Sequence, residues 1–407
     1  MGDHDKENHY TRREMLKMTV ATGSGLMIGA SGLGFVSHLI DPKVKPKTAK
    51  ANRNETVAFY GKHQAGIATP QQAYLYLISF DLETESKHKI IQLFKQWTKL
   101  SELFAVGNWQ PNAANQQLPP ADTGEALGIS PGYLTMTYGL GPTFFKKNGR
   151  DRFGLAHKMP KFLKEIPRVG NQNLDTSISN GDLCIQVCSE IKQVAFHAVR
   201  NLINTGIGTV SVRWIQEGFI SGAKGETKRN LFGFKDGTAN VKEKLDDTVW
   251  AGADEPSWMR GGTYMAYRKI QMFLEDWDQD SLKDQEDTFG RMKESGAPYG
   301  KIHEQDAVDP KKMPSDSHVR VAHTYGAPIY RRSYNYASGI NKLGKLDAGL
   351  AFICFQKNPE NSFLPKLKAL GKLDALNEYT QHIGSAMFAI PRGMKKGEYI
   401  AQALFES

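Results

Sequence analysis

Two short segments hold the side chains best suited to chemistry. In NLFGFKDGTAN, residues 230–240, Asp236 stands on a glycine-flanked turn among Leu231, Phe232 and Phe234. Those apolar neighbours press the segment against the interior. A carboxylate there either bonds nearby backbone amides as part of a turn, or sits poorly hydrated with its protonation tuned for proton transfer. In SDSHVRVAHTYGAPIYRRSYNY, residues 315–336, histidines, arginines and tyrosines crowd together. His318 and His323 are five apart, which misses the i, i+4 spacing of one helical face, and no HExxH or cysteine partner accompanies them; a two-histidine zinc site is therefore not expected. One histidine can still serve as an axial haem ligand, and the plain alternative is a pair of surface histidines beside a basic strand.

These residues need elements to hold them. From residue 73, AYLYLISFDLETESKHKIIQLFKQWTKL reads as an apolar strand, a polar turn and an amphipathic helix with Ile90, Ile91, Leu93, Phe94 and Trp97 on its apolar face. GDLCIQVCSEIKQVAFHAVRNLIN is again strand then helix, and GTVSVRWIQEGFI is another strand. The second half repeats the order, at 261–277 and at 346–373. Two halves of like grammar predict a duplicated α+β unit, 55–240 and 241–407, behind a leader and linker at 1–51. The stretch around Asp236 lies where the halves meet, a common place for a site. No GxGxxG or Walker pattern follows a strand, so no nucleotide fold is indicated. Residues 107–131, rich in Asn, Gln, Pro and Gly, read as a long surface loop.

The chain has 407 residues, 40% hydrophobic and 23% charged, enough for a sizeable core. Its net charge of +9 lacks a Lys/Arg run or an aromatic platform, which suits an anionic envelope surface better than nucleic acid. Cys184, Cys188 and Cys354 make neither a disulfide framework nor a zinc set; strand alternation puts Cys184 and Cys188 on one face as small buried residues.

At the N-terminus, TRREMLKM at 11–18 precedes a weakly apolar run from Met18 to Ile40 that contains five glycines. It resembles a twin-arginine export signal, with Met15 in the usual Phe position. The run is long enough for a membrane anchor, but its glycines make insertion poor, and TAKA at 48–51 offers a cleavage site. The twin-arginine route implies export of folded protein, commonly with cofactor already inserted.

In order along the chain, SFDL at 79–82, GDLCIQVC at 181–188, GFKDG at 233–237, WMRGGTYMAYRKI at 258–270, SHVR at 317–320, YRRSYNY at 330–336 and LDAGLAFICFQ at 346–356 resemble the dye-decolorising peroxidase family, within it the EfeB-like deferrochelatase/peroxidase subgroup. The resemblance implies two ferredoxin-like halves enclosing one haem b. It implies Asp236 as distal acid, Arg331 as distal arginine with Arg332 the fallback, and His318 as iron ligand in preference to His323. Gly237, Thr238, Ala239, His323, Thr324, Tyr325 and Arg331 are the further haem contacts that it implies. Where the subgroup often has Asn-Pro-Arg, this chain has His323-Thr324-Tyr325, which removes an arginine contact to a haem propionate. Asp347, in KLDAGL, is a candidate partner for the His318 ring, with a strand-end turn as its plainer reading. The implied partners are hydrogen peroxide, haem, small aromatic reductants, the twin-arginine translocase, membrane iron-uptake components and a second copy of the chain. The subgroup's removal of iron from haem, porphyrin left intact, is carried by resemblance alone. A haem carrier without turnover is the rival from another class.

Overall fold

The computed structural model describes residues 55–110, 116–170, 172–222, 226–235, 240 and 245–406. The first half runs β1 (Tyr74–Leu82), α1 (Lys87–Phe104), β2 (Thr135–Leu140), β3 (Leu183–Ser189), α2 (Lys192–Gly206) and β4 (Val210–Phe219). Ser86 caps α1 by accepting from the Lys89 amide. Ile90, Leu93, Phe94, Trp97, Leu100 and Phe104, spaced three and four apart, then bury one face of that helix against the sheet. The second half runs β5 (Thr263–Met272), α3 (Leu282–Phe289), α4 (His318–Thr324), β6 (Tyr330–Arg331), β7 (Tyr334–Ile340), β8 (Leu346–Gln356), α5 (Phe363–Leu373) and β9 (Thr380–Ile390). The helix expected after β5 is a single turn, Leu274–Trp277.

Each half is a four-stranded antiparallel sheet with the same connectivity. The strand order is β2-β3-β1-β4 in the first and β9-β5-β8-β7 in the second. In both, the first and third strands of the half lie at the centre, which is the ferredoxin-like arrangement that the family resemblance implies. The sheets meet at two seams, each a single residue pair: Leu140 with Ala389, and Phe219 with Asn335. Leu75, Leu77, Trp214, Met265, Tyr267, Ile353 and Phe388 fill the space between them. Cys184 and Cys188 lie in that same layer as free thiols, and burial raises both pKa values.

The opposite face of the second sheet positions the site. Strand alternation sends Met265 and Tyr267 inward and Arg268, Ile270 and Met272 outward. A bulge between His382 and Gly384 adds one residue to β9, so that Ile270 pairs with His382 while Arg268 pairs with Ser385. Without that extra residue His382 and Ser385, three apart, would point to opposite faces.

The loop at 116–131 is less free than its composition suggests. Asp122 is buried, and with Glu125 it grips the fully buried His197 of α2, at 3.4 Å and 2.9 Å. Trp109 donates its indole proton to the carbonyl of Ile129, tying the loop's two ends.

Candidate active site

A cleft partly open to solvent lies between the outer face of β5, β8 and β9 and the helices α3, α4 and α5. Its walls are mostly apolar: Phe352 and Leu350 from the sheet, Phe289, Leu367 and Leu370 from the helices. His318, Arg331, Arg268 and His382 reach the same space.

His318 is the first residue of α4, preceded by the buried Ser317. Its Nδ1 lies 2.6 Å from Oδ2 of Asp374, which is 5% exposed. A carboxylate only accepts, so Nδ1 carries the proton and Nε2 keeps its lone pair for a metal. The carboxylate is therefore Asp374 and not Asp347. Asp347 lies near the start of β8, where its charge acts on Lys269 and Tyr336. Asp374 also caps the short helical turn Ala375–Glu378 by accepting from the Leu376 amide. One residue thus fixes two elements.

The far end of α4 is held by Lys366, whose Nζ donates to the carbonyls of Ala322, Tyr325 and Gly326 at 2.7, 2.6 and 3.1 Å. A cation at a helix C-terminus satisfies carbonyls that the helix leaves open. The short helix is clamped at both ends. Ala322, one turn on from His318, lines the cleft with it, whereas His323 is exposed and not among the lining residues. Partial desolvation and the nearby charges of Lys366 and Arg291 hold the His323 pKa below its usual value. Thr324 bonds back to the carbonyl of Arg320, and Tyr325 is exposed at the helix end.

Paired arginines part company on β6. Arg331 lines the cleft with its guanidinium 5.6 Å from the centre of the Phe352 ring. Arg332 points the other way, is buried, and donates to the backbone of Thr69 and the side chain of Gln72. Asn240 clasps the backbone of Arg331 in both directions, at 2.9 and 2.7 Å. Asp236, Gly237, Thr238 and Ala239 lie outside the described residues, as does the segment 1–51. The residues leading to them match expectation: Phe232 and Phe234 are buried, and Phe234 stacks on Phe289 at 4.1 Å. Phe289 in turn meets the His318 ring edge-on at 6.1 Å.

Besides Asp374, two polar cleft residues, Arg268 and His382, were not read from the sequence. Arg268 donates from Nε to Nδ1 of His382 at 2.9 Å and from Nη1 to Ser385 at 2.8 Å. Burial, then the Arg268 charge, pushes the His382 pKa down to about 3. Burial brings Arg268 itself to about 10, which leaves it charged at neutral pH.

The chain is similar to known proteins along most of its length. The family models described as Dyp-type peroxidase, N-terminal and C-terminal, match residues 64–220 and 227–395. The chain is 39% identical to the deferrochelatase of Escherichia coli (strain K12) over 427 aligned positions, spanning 99% of this chain and 98% of that one. Ferric DtpA from Streptomyces lividans superposes with a TM-score of 0.80 at 34% identity, over 89% of this chain and 100% of that one. A DyP-type peroxidase from Cellulomonas bogoriensis superposes with a TM-score of 0.78 at 34% identity, over 86% and 98%.

Proposed function

Because the chain belongs to the dye-decolorising peroxidase family, and so is a haem enzyme, we propose that it reduces hydrogen peroxide with Asp236 and Arg331 as its distal pair and also releases iron from haem. The observation that carries this reading is the His318–Asp374 pair, set in the same apolar cleft as the charged Arg331.

The residues present fit a haem. The cleft offers apolar walls, an imidazole whose Nδ1 is held by a carboxylate as a metal-binding histidine requires, and cationic side chains to match propionates. Haem supplies the iron that binds peroxide and the redox equivalents. Asp374 holds the His318 ring in one tautomer and makes Nε2 more basic. Asp236 accepts a proton from bound peroxide and returns it to the departing oxygen. An unperturbed aspartate titrates at about 3.9, so this role favours acidic conditions. Arg331 stays charged throughout and stabilises negative charge on that oxygen in a poorly hydrated pocket. Iron release exchanges the substrate's iron for two protons on the porphyrin nitrogens, and Asp236 is the group placed by motif to relay them.

The testing experiment incubates purified protein with haemin, and measures peroxide-dependent dye oxidation alongside freed iron and iron-free porphyrin. A carrier would bind haem and do neither. Asp236→Asn and Arg331→Leu should each retain haem and slow dye oxidation by ~10²-fold; normal rates in both would end the catalytic assignment.

We also propose export by the twin-arginine route, into an extracytoplasmic compartment where peroxide and haem are met. The motif TRREMLK and the glycine-rich run behind it motivate this. Changing Arg12 and Arg13 together to Lys should trap folded protein in the cytoplasm; undiminished export would remove the route.

A further inference from the structure

The cleft contains a second basic centre that peroxide chemistry leaves unused. Phe352 pairs with Arg268 across β8 and β5, and Arg331 lies against the same phenyl ring. Both arginines line the same cleft. They differ in what surrounds them. Arg268 is fully buried, and its neighbours are a neutral imidazole and a hydroxyl, with no carboxylate paired to it among the described residues. Its Nη2 is buried without a hydrogen-bond partner among the described residues. A buried charge is costly unless it is paired, so a cation held this way points to an anion that completes it.

The imidazole beside it sharpens the chemistry. Arginine only donates, so Nδ1 of His382 must be the acceptor and the proton must sit on Nε2. His382 also lines the cleft. The pair therefore offers the guanidinium N–H and the imidazole N–H and no acceptor at all. Two donors, one charged, match the two oxygens of a carboxylate.

We infer that Arg268 and His382, brought to one face by the bulge in β9, form a carboxylate-binding subsite on the β5–β9 side of the cleft. Its occupant is either a propionate of the haem or the carboxylate of a separate organic molecule. The inference rests on the cleft being the haem site.

The test uses the full chain, free of haem and loaded with it, as wild type, Arg268→Met and Arg268→Lys. Removing an uncompensated cation should leave the haem-free protein as stable as wild type or more so, which an arginine serving only the fold would not do. With a propionate as occupant, Arg268→Met weakens haem binding about tenfold or more, Arg268→Lys recovers part of it, and both bind haem dimethyl ester as wild type does. With a separate carboxylate as occupant, haem affinity is unchanged, but benzoate shifts the Soret band of the wild type and not of Arg268→Met. Unchanged haem affinity together with an unchanged benzoate response overturns the subsite. So does an equal loss of affinity for haem and its dimethyl ester, or a haem-free Arg268→Met protein that melts well below wild type. Absence of any Soret band in the wild type would instead remove the haem reading. Stabilisation of the haem-free wild type, but not of Arg268→Met, by benzoate would then still support the subsite, and its absence would overturn it.

Discussion

His318 and His382 line the same cleft with the same ring and opposite polarity. One is held through Nδ1 by a carboxylate, the other through Nδ1 by a guanidinium. The carboxylate takes the Nδ1 proton's bond and turns Nε2 into a base; the guanidinium fills the Nδ1 lone pair and turns Nε2 into a donor. What a buried histidine can bind is thus set by the group behind it. A third histidine, His197, is held from both ring nitrogens by Asp122 and Glu125, and has neither face to offer.

The comparison breaks most sharply at the metal ligand. His318→Ala should lower haem affinity by about a hundredfold or more, while His323→Ala leaves it near wild type, as read by Soret titration. Equal loss from both would show that either ring can serve. Next in size is the carboxylate. Asp374→Asn keeps a cap for the Leu376 amide but loses the charge behind His318, and should weaken haem binding ~10-fold and raise the reduction potential. Wild-type values in that variant would separate the tautomer from the charge.

Smaller effects come from proton linkage. The folded-state pKa of His382 lies near 3, well below its unfolded value of about 6.5. Between those values the unfolded chain binds the extra proton, so this histidine's contribution is full above about pH 6.5 and is lost as pH falls towards 3. Urea unfolding of wild type against His382→Gln should show the difference changing by at most ~1.4 kcal/mol per pH unit in that window. A flat difference would mean that the imidazole is already charged when folded. His197 runs the other way. Burial alone would lower its pKa, but Asp122 and Glu125 outweigh that and raise it, so its contribution is present below about pH 6.5 and fades as pH rises through the raised value. Hydrogen exchange in residues 116–131 should quicken on that alkaline side, and His197→Gln should remove the pH dependence.

The duplicated fold was legible because alternation in YLYLISFDL, LCIQVCS and LDAGLAFICFQ coincides with strands whose two faces are both covered. His318 and Arg331 were legible through motif. Asp374 was not, because Asp-Ala-Leu-Asn-Glu reads as an ordinary helix cap, and the cap is real; its second oxygen does the further work. Arg268 looked like one polar residue in a strand. Its meaning depends on His382 and Ser385, and their sharing a face depends on a bulge that no residue type in HIGS announces. The stretch 107–131 read as a long surface loop from its composition, but Asp122 and Glu125 in it pair with the buried His197 of α2.

The Phe219–Asn335 seam has a consequence for how the protein behaves in a crowd. β4 is laddered to β1 along its length, but among the described residues its ladder to β7 is the single pair Phe219–Asn335. Val212 and Ile215 are exposed along β4, a pattern that invites edge-to-edge association. Arg213, paired with Asp81 at 2.9 Å, and Glu217, paired with Lys192 at 2.8 Å, alternate with them. An incoming strand would have to displace or bury those charges, which sets an electrostatic and desolvation cost against edge-to-edge pairing here.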